Sequence, residues 1–458
     1  MERFLRRIKS AFENKLLYQT FKLSYVATLS VVVSNIHNLF GTVMVGHVGA
    51  DSVEQVSAMG VALIILLLFS SPMNSFGSAS QSIISRFWGA GDRKQALISF
   101  KSAMIASFIV SVILSALVFI IGDKIIAISS TNSKVRDYAM KFLMIRVIGF
   151  PFSAVSFVIR GFFDAIGKPK EHLKFNLYST LVCIILSPFF IFGIFFPRLE
   201  LYGFALASSI SGFVAMFLGL VYVKDYIFQN FSVDDIKQES YLKILTSFLF
   251  KNLKVSIPAL GAQFIAVTTF ILFMRASESE GVEHQAATFI LVNIISLFLL
   301  PSFAIGTTLA AFCGRLIGDG KTKKAKKIIY DAVIVVAVFA SFISLIFFLF
   351  SYQIIDGFSN DDMVIDVGGK VMRIFSPGLF FLVSGMILIN TLIGIGDTKF
   401  VIILEFIAHF LILIPSLIFV GIFLRANSIY IWLIVSLYFA IVFSASFIRL
   451  NKLEFKEI

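Results

Sequence analysis

Charge is what this sequence has least of. Only 14% of its 458 residues are Asp, Glu, Lys or Arg, against 58% hydrophobic, and the mean hydropathy is +0.93. A soluble chain carries nearer ~25% charged residues, so most of this one faces a medium other than water. Strand-type alternation is also missing, which removes the membrane β-barrel. There are two cysteines, Cys183 and Cys313, both inside apolar segments, so neither a disulfide framework nor a metal site is expected. No phosphate loop occurs: "GFFDAIGKPK" has the wrong spacing for G-x-x-x-x-G-K-[ST], and Pro169 stands where the magnesium-binding hydroxyl belongs. Nucleophile elbow and His/Glu metal spacing are absent too, which argues against a membrane-embedded enzyme.

What the chain has in abundance is apolar runs long enough to cross ~30 Å of hydrocarbon as helices. Twelve spans are read: 23–46, 56–80, 97–121, 138–165, 172–196, 202–223, 252–275, 284–310, 329–351, 369–393, 399–424 and 428–448. The fold class is therefore an all-α polytopic membrane protein. The net charge of +12 reports topology and not a nucleic-acid partner. Basic residues crowd one side, with Arg3, Arg6, Arg7, Lys9 and Lys15 at the start and Arg315, Lys321, Lys323, Lys324, Lys326 and Lys327 between spans 8 and 9. Asp51, Glu54, Glu278, Glu280, Glu283, Asp356, Asp361, Asp362 and Asp366 fall in the opposite loops. The positive-inside rule then places both termini in the cytoplasm, with the bacterial plasma (inner) membrane as the expected location. The first apolar run is too long for a signal-peptide core and lacks a small-x-small cleavage site, so it reads as a retained helix.

Setting residue n beside residue n + 229 exposes a duplication. "PMNSFGSASQSIISRFWGAGDRKQA" and "PSFAIGTTLAAFCGRLIGDGKTKKA" match at Pro72/Pro301, Gly77/Gly306, Arg86/Arg315, Gly89/Gly318, Gly91/Gly320 and Ala96/Ala325. "AIGKPK" and "GIGDTK" add Ile166/Ile395, Gly167/Gly396 and Lys170/Lys399 without a gap. Two six-helix lobes follow: an N-lobe over 1–223, a linker over 224–250 and a C-lobe over 251–458. Six is even, so both copies enter the membrane from the same side as parallel repeats, an arrangement of transporters that rock around a central site. The repeated glycines read as turn and helix-end positions.

The motifs and their order resemble the multidrug and toxic compound extrusion (MATE) family. They are "GTVMVGHVG" after span 1, "GAGDRKQA" after span 2, "RGFFDAIGKPK" after span 4, "FIFG" in span 5 and "GVEHQAATFILVNIISLFLLPSFAIGTTLAAFCGRLIGDGK" around span 8. The resemblance implies export of amphipathic, often cationic, compounds in exchange for protons or sodium ions. It also implies an Asp in span 1 and another in span 5. Here the first pattern, D-T-x-M-V-G, begins with Gly41, and the second, N-I-x-L-D-P, has Cys183 for Asn and Ser187 for Asp. A Glu known from span 7 of another branch has no counterpart after Pro258.

Both carboxylates are missing, so the coupling residues must be sought elsewhere. Asn35, Asn38, Thr42, Ser187 and Ser208 offer neutral oxygens, or simply helix–helix hydrogen bonds worth roughly 0.6–2 kcal/mol each. Glu405 and His409 in span 11 stand four residues apart, on one helix face, where the first lobe has Asn176 in place of the carboxylate. They are either a proton site or a structural pair near the helix end. His37 is a second titratable candidate, or a satisfied interior histidine. Arg146 and Arg373, in spans 4 and 10, can pair with acids, bind an anionic substrate or snorkel to an interface. Some of the 54 Phe residues suit a cavity for flat cations; most face lipid or pack between helices. The expected function is a secondary antiporter exporting small amphipathic molecules, with a flippase for lipid-linked intermediates as the alternative. No cofactor is expected, the coupling ion is a proton or sodium, the bilayer is the surrounding partner, and the chain is expected to act as a monomer.

Overall fold

The computed structural model describes residues 25, 28–29, 32–33, 36–89, 91–195, 197–230, 268–318, 321–394 and 397–452. Among them, every regular element is a helix. In chain order they are α1 (Ile36–Val45), α2 (Ser52–Gly89), α3 (Arg93–Ser129), α4 (Ser133–Ile148), α5 (Phe150–Ala165), α6 (Pro169–Phe192), α7 (Leu201–Asn230) and α8 (268–277). There follow α9 (Val282–Gly318), α10 (Thr322–Leu349), α11 (Ser351–Asp356), α12 (Asp362–Gly394), α13 (Thr398–Ile407) and α14 (Ser428–Lys452). Beyond Ile407, α13 continues through π-helical turns at Ala408–Leu413 and Leu417–Phe423.

Nine of the described helices are long and apolar enough to span a membrane, and α4 with α5 forms a tenth span bent by 51°. α1 and α8 are the described parts of spans 1 and 7. Span 4, read as one run, is thus broken, and the break falls at Gly149. α7 runs on to Asn230, into the segment read as linker; 231–250 lie outside the described residues.

The duplication is visible in the element boundaries themselves. α2 and α9 end at Gly89 and Gly318, α3 and α10 begin at Arg93 and Thr322, and α4 and α12 begin at Ser133 and Asp362. α5 and α12 end at Ala165 and Gly394, and α6 and α13 begin at Pro169 and Thr398. Each pair is separated by the same 229 residues. Local chemistry explains part of this. Asn132 and Asp361 are repeat equivalents, and each side-chain oxygen accepts two first-turn amides, from Lys134 and Val135 and from Met363 and Val364. That satisfies donors the helix leaves orphaned.

The repeated glycines do two jobs. Gly91 and Gly167 have φ of +78° and +75°, as turn positions require. Gly77 and Gly306 instead sit inside long helices, which corrects the helix-end reading for this pair. A Cβ on Gly77 would lie 2.7 Å from the Phe157 carbonyl oxygen, and one on Gly306 would lie 2.8 Å from Asn390 Cβ. Close backbone approach is how membrane helices pack when no hydrophobic effect draws them together.

Contacts divide the chain into two compact units, Phe40–Ile271 and Leu272–Ile458, the latter taking in residues 36–39. In the first, Phe76, Leu97, Phe100, Val158, Phe162 and Phe163 form a buried core shared by α2, α3 and α5. α3 turns Ile105, Phe108, Ile109, Val112 and Ile113 outward as one apolar stripe, the lipid-facing side. The loop carboxylate Asp51 accepts hydrogen bonds from Lys134 Nζ (3.0 Å) and Tyr138 Oη (2.9 Å), which hold it below the usual carboxylate range. In the second unit, buried Trp432 packs against Phe273 and Phe375, with ring centroids 5.2 and 4.9 Å away. Both cysteines are free and buried.

Candidate functional site

Two polar sites lie within otherwise apolar helix packing, one in each unit. In the second unit, Glu405 stands about 10 Å along α13 from its start, and His409 follows where the π-helical turns begin. His409 Nδ1 lies 3.2 Å from Glu405 Oε2 and 3.0 Å from the Glu405 backbone carbonyl oxygen, so a proton on Nδ1 is offered to both. The tautomer that does this leaves Nε2 as an acceptor. Tyr438 of α14 closes the cluster. Its buried hydroxyl is 3.4 Å from Glu405 Oε2 and 3.4 Å from His409 Nε2, and its ring meets the imidazole edge-on at 5.1 Å. The Glu405 side chain keeps 34% exposure and His409 17%. A carboxylate, an imidazole and a phenol in mutual reach can take up, share and release a proton. π-helical turns are frequent at functional sites.

Tyr438 was not among the residues singled out from sequence. It lies on the next helix, and no spacing rule connects the two; its repeat equivalent is Ser209, whose hydroxyl bonds backbone carbonyls of Ile145 and Ala205.

In the first unit the place of the missing carboxylates is filled differently. Gly41 is buried in α1, and a Cβ there would lie 2.3 Å from the Phe204 ring of α7. Phe204 in turn stacks on Phe142 of α4 at 6.4 Å. The aromatic ring thus takes up the space into which a side chain at 41 would project. Ser187, in the position of the second missing acid, donates its hydroxyl to the Cys183 carbonyl oxygen (2.7 Å), one turn back on α6. Cys183 Sγ is 3.7 Å from Ser208 Oγ of α7. Arg146, at the end of α4 just before the Gly149 break, is close enough to Cys183 for its charge to act on the thiol. Its Nε is sealed from solvent and has no hydrogen-bond partner.

The other candidates are placed as follows. His37 and Asn38 are partly buried in α1, and each has interaction partners; Asn35 lies outside the described residues. Thr42 is fully buried. Arg373, unlike Arg146, is exposed, with its guanidinium over the rings of Tyr352 (5.2 Å) and Phe348 (5.6 Å). A cavity of about 310 Å³ also opens in the second unit among Glu280, His284, Asp366, Lys370 and Ser428. It lies at the start of α14 and away from the Glu405 cluster. Its polar groups already pair internally, Lys370 with Asp366 in an ion pair at 2.6 Å and His284 with the Ser428 hydroxyl at 2.9 Å. Among the described residues no group of three or more His, Cys, Asp or Glu could hold a metal ion.

The comparison with known families decides the class. The MatE family model matches residues 27–189 and again 258–418, one match in each half of the duplication. The chain belongs to the MATE family. It is a multi-pass membrane transporter and not an enzyme. Its relatives include the probable multidrug resistance protein YoeA of Bacillus subtilis (strain 168), 23% identical over 76% of this chain and 74% of that one. The multidrug export protein MepA of Staphylococcus haemolyticus (strain JCSC1435) is also 23% identical, over 82% of each. A MATE transporter solved in an inward-facing conformation shares the fold, with a TM-score of 0.76 at 17% identity over 93% of this chain and 98% of that one.

Proposed function

We propose that this MATE chain exports amphipathic organic compounds by alternating access of its two lobes, in exchange for protons handled by Glu405, His409 and Tyr438. Both termini are then cytoplasmic, in a bacterial plasma membrane. The names of its relatives support drug export. The observation that carries proton coupling is the Glu405–His409–Tyr438 cluster. Sodium coupling favours several oxygen ligands with negative charge nearby; here the carboxylate is committed to an imidazole and a phenol.

The cluster can drive a conformational change only through differential proton affinity. Swinging a two-state equilibrium from 1:99 to 99:1 takes a ~10⁴-fold difference in binding. Burial, together with gain or loss of the His409 and Tyr438 hydrogen bonds, is the means by which a carboxylate can reach such a difference. Deprotonated, Glu405 accepts from both partners; protonated, it has no charge to hold them.

The test is dye efflux from proteoliposomes preloaded with anionic, zwitterionic and cationic amphipathic dyes, under imposed proton and sodium gradients. Acid outside should accelerate efflux in the wild type, and Glu405→Gln should abolish the acceleration. Indifference to the proton gradient in the wild type would end the proton-antiport reading. A second reading, a flippase for lipid-linked or other amphiphilic intermediates, draws on the loss of both first-lobe carboxylates at Gly41 and Ser187. Lipid translocation by the same vesicles without dye efflux would select it.

A further inference from the structure

Among the described residues, no side chain pairs with the Arg146 charge, and its Nε is buried without a hydrogen-bond partner. It lies roughly 20 Å along the bent span that begins at Ser133, three residues before the 51° break. Its own span holds no acid between Asp137 and Asp164. The other helices of the lobe hold none over 16–50, 55–91, 93–122, 172–199 or 201–224. Its neighbour is Cys183, fully buried on α6, and its Nε is closed off from solvent, while the residue as a whole is half-buried.

A cation inside a span is costly unless paired, and its neighbour Cys183 is a neutral thiol that itself lies against Ser187 and Ser208. Guanidinium is the side chain best shaped to bind carboxylate or phosphate through two parallel hydrogen bonds. Many transporter folds hold their cargo at helices that are interrupted within the membrane. The same charge repels a cationic cargo. Phe204 and Phe142, stacked between Gly41 and α4, supply an apolar wall for the rest of an amphiphile.

We propose that Arg146 recognises the anionic headgroup, carboxylate or phosphate, of the amphiphile this transporter moves, so that the cargo class is anionic where the family resemblance implied cations. The assignment rests on the transporter reading above and names its substrate class. The test uses the full chain in phosphatidylcholine nanodiscs, with thermal unfolding followed against dodecyl phosphate and against dodecyltrimethylammonium. Wild type should bind the phosphate at least about tenfold more tightly than the ammonium, as one charge-assisted bidentate contact provides. Arg146→Gln should bring the two within about twofold of each other. Arg146→Lys, a charge without the planar fork, should fall between and carries the test if the Gln variant does not fold. Competition by added phosphatidylglycerol marks a lipid headgroup as the natural occupant, and lack of competition a free amphiphile; either fits the proposal. Binding of neither probe, equal binding, preference for the ammonium, or a preference unchanged in the Arg146 variants would overturn it. No gradient is present, so loss of proton coupling elsewhere leaves this readout intact.

Discussion

The last two helices of each repeat stand in equivalent register, yet the polar groups they hold differ: neutral in the first unit, ionisable in the second. In the first unit α6 and α7 bring Cys183, Ser187 and Ser208 together, and Cys183 is the neighbour of Arg146 on α4. In the second, α13 and α14 bring Glu405, His409 and Tyr438 together. The equivalents do not carry the chemistry across: Glu405 answers to Asn176, Tyr438 to Ser209, and Arg146 to Phe375, which packs on Trp432. The scaffold is repeated by glycines, caps and apolar runs, whereas the proposed function rests on a handful of side chains that differ between the halves. The difference suggests a division of labour, with cargo recognition in the first lobe and proton handling in the second.

Four tests probe that comparison, in order of expected effect. Gly41→Asp restores a carboxylate to the first lobe and should lower stability by about 3 kcal/mol, because its Cβ overlaps Phe204 and its charge is buried. Paired with Phe204→Ala, the loss should be less than the sum of the two single changes, a coupling readable from thermal melts. Simple additivity would deny that Phe204 fills the vacated place.

Gly77→Ala and Gly306→Ala should each cost about 2 kcal/mol, since the first meets a backbone carbonyl oxygen and the second meets a Cβ fixed to its own backbone. A loss confined to one of the two in melts would mean that the lobes pack less alike than these contacts indicate.

Tyr438→Phe deletes one hydroxyl from the proton cluster and should slow proton-driven efflux about fivefold, the value of roughly one hydrogen bond. It should leave gradient-free dye exchange unchanged; a uniform loss of both would mark Tyr438 as a packing residue only.

The smallest effect belongs to Asp51. Its folded-state pKa is depressed by Lys134 and Tyr138, so the stability it adds is present above the ordinary carboxylate pKa and is lost as pH falls through the lowered value. Asp51→Asn should flatten the acid side of the pH–stability profile. No change below pH 4 would contradict the assignment.

Much of the architecture was legible in the residues. Apolar runs of membrane length gave the spans, and the offset of 229 between glycines gave the duplication that the helix ends then reproduce. Glu405 and His409 could be paired because four residues place them on one helix face. Tyr438 could not be, since helix-to-helix contacts between distant residues leave no local pattern. The break at Gly149 was hidden for a related reason: the same glycine occurs at Gly378, where α12 runs straight through. Arg146 was visible as a candidate but not as an unanswered charge, and the fit of Phe204 over Gly41 is a matter of shape alone.

The central claim is that the two lobes do separate jobs, and one assay reads both. Wild type, Glu405→Gln and Arg146→Gln are reconstituted in the same vesicles, and each is scored for response to a proton gradient and for preference between anionic and cationic amphiphiles. Glu405→Gln should lose the gradient response and keep the anion preference, while Arg146→Gln should do the reverse. Loss of both properties in either variant, or a gradient response untouched by Glu405→Gln, would contradict the account.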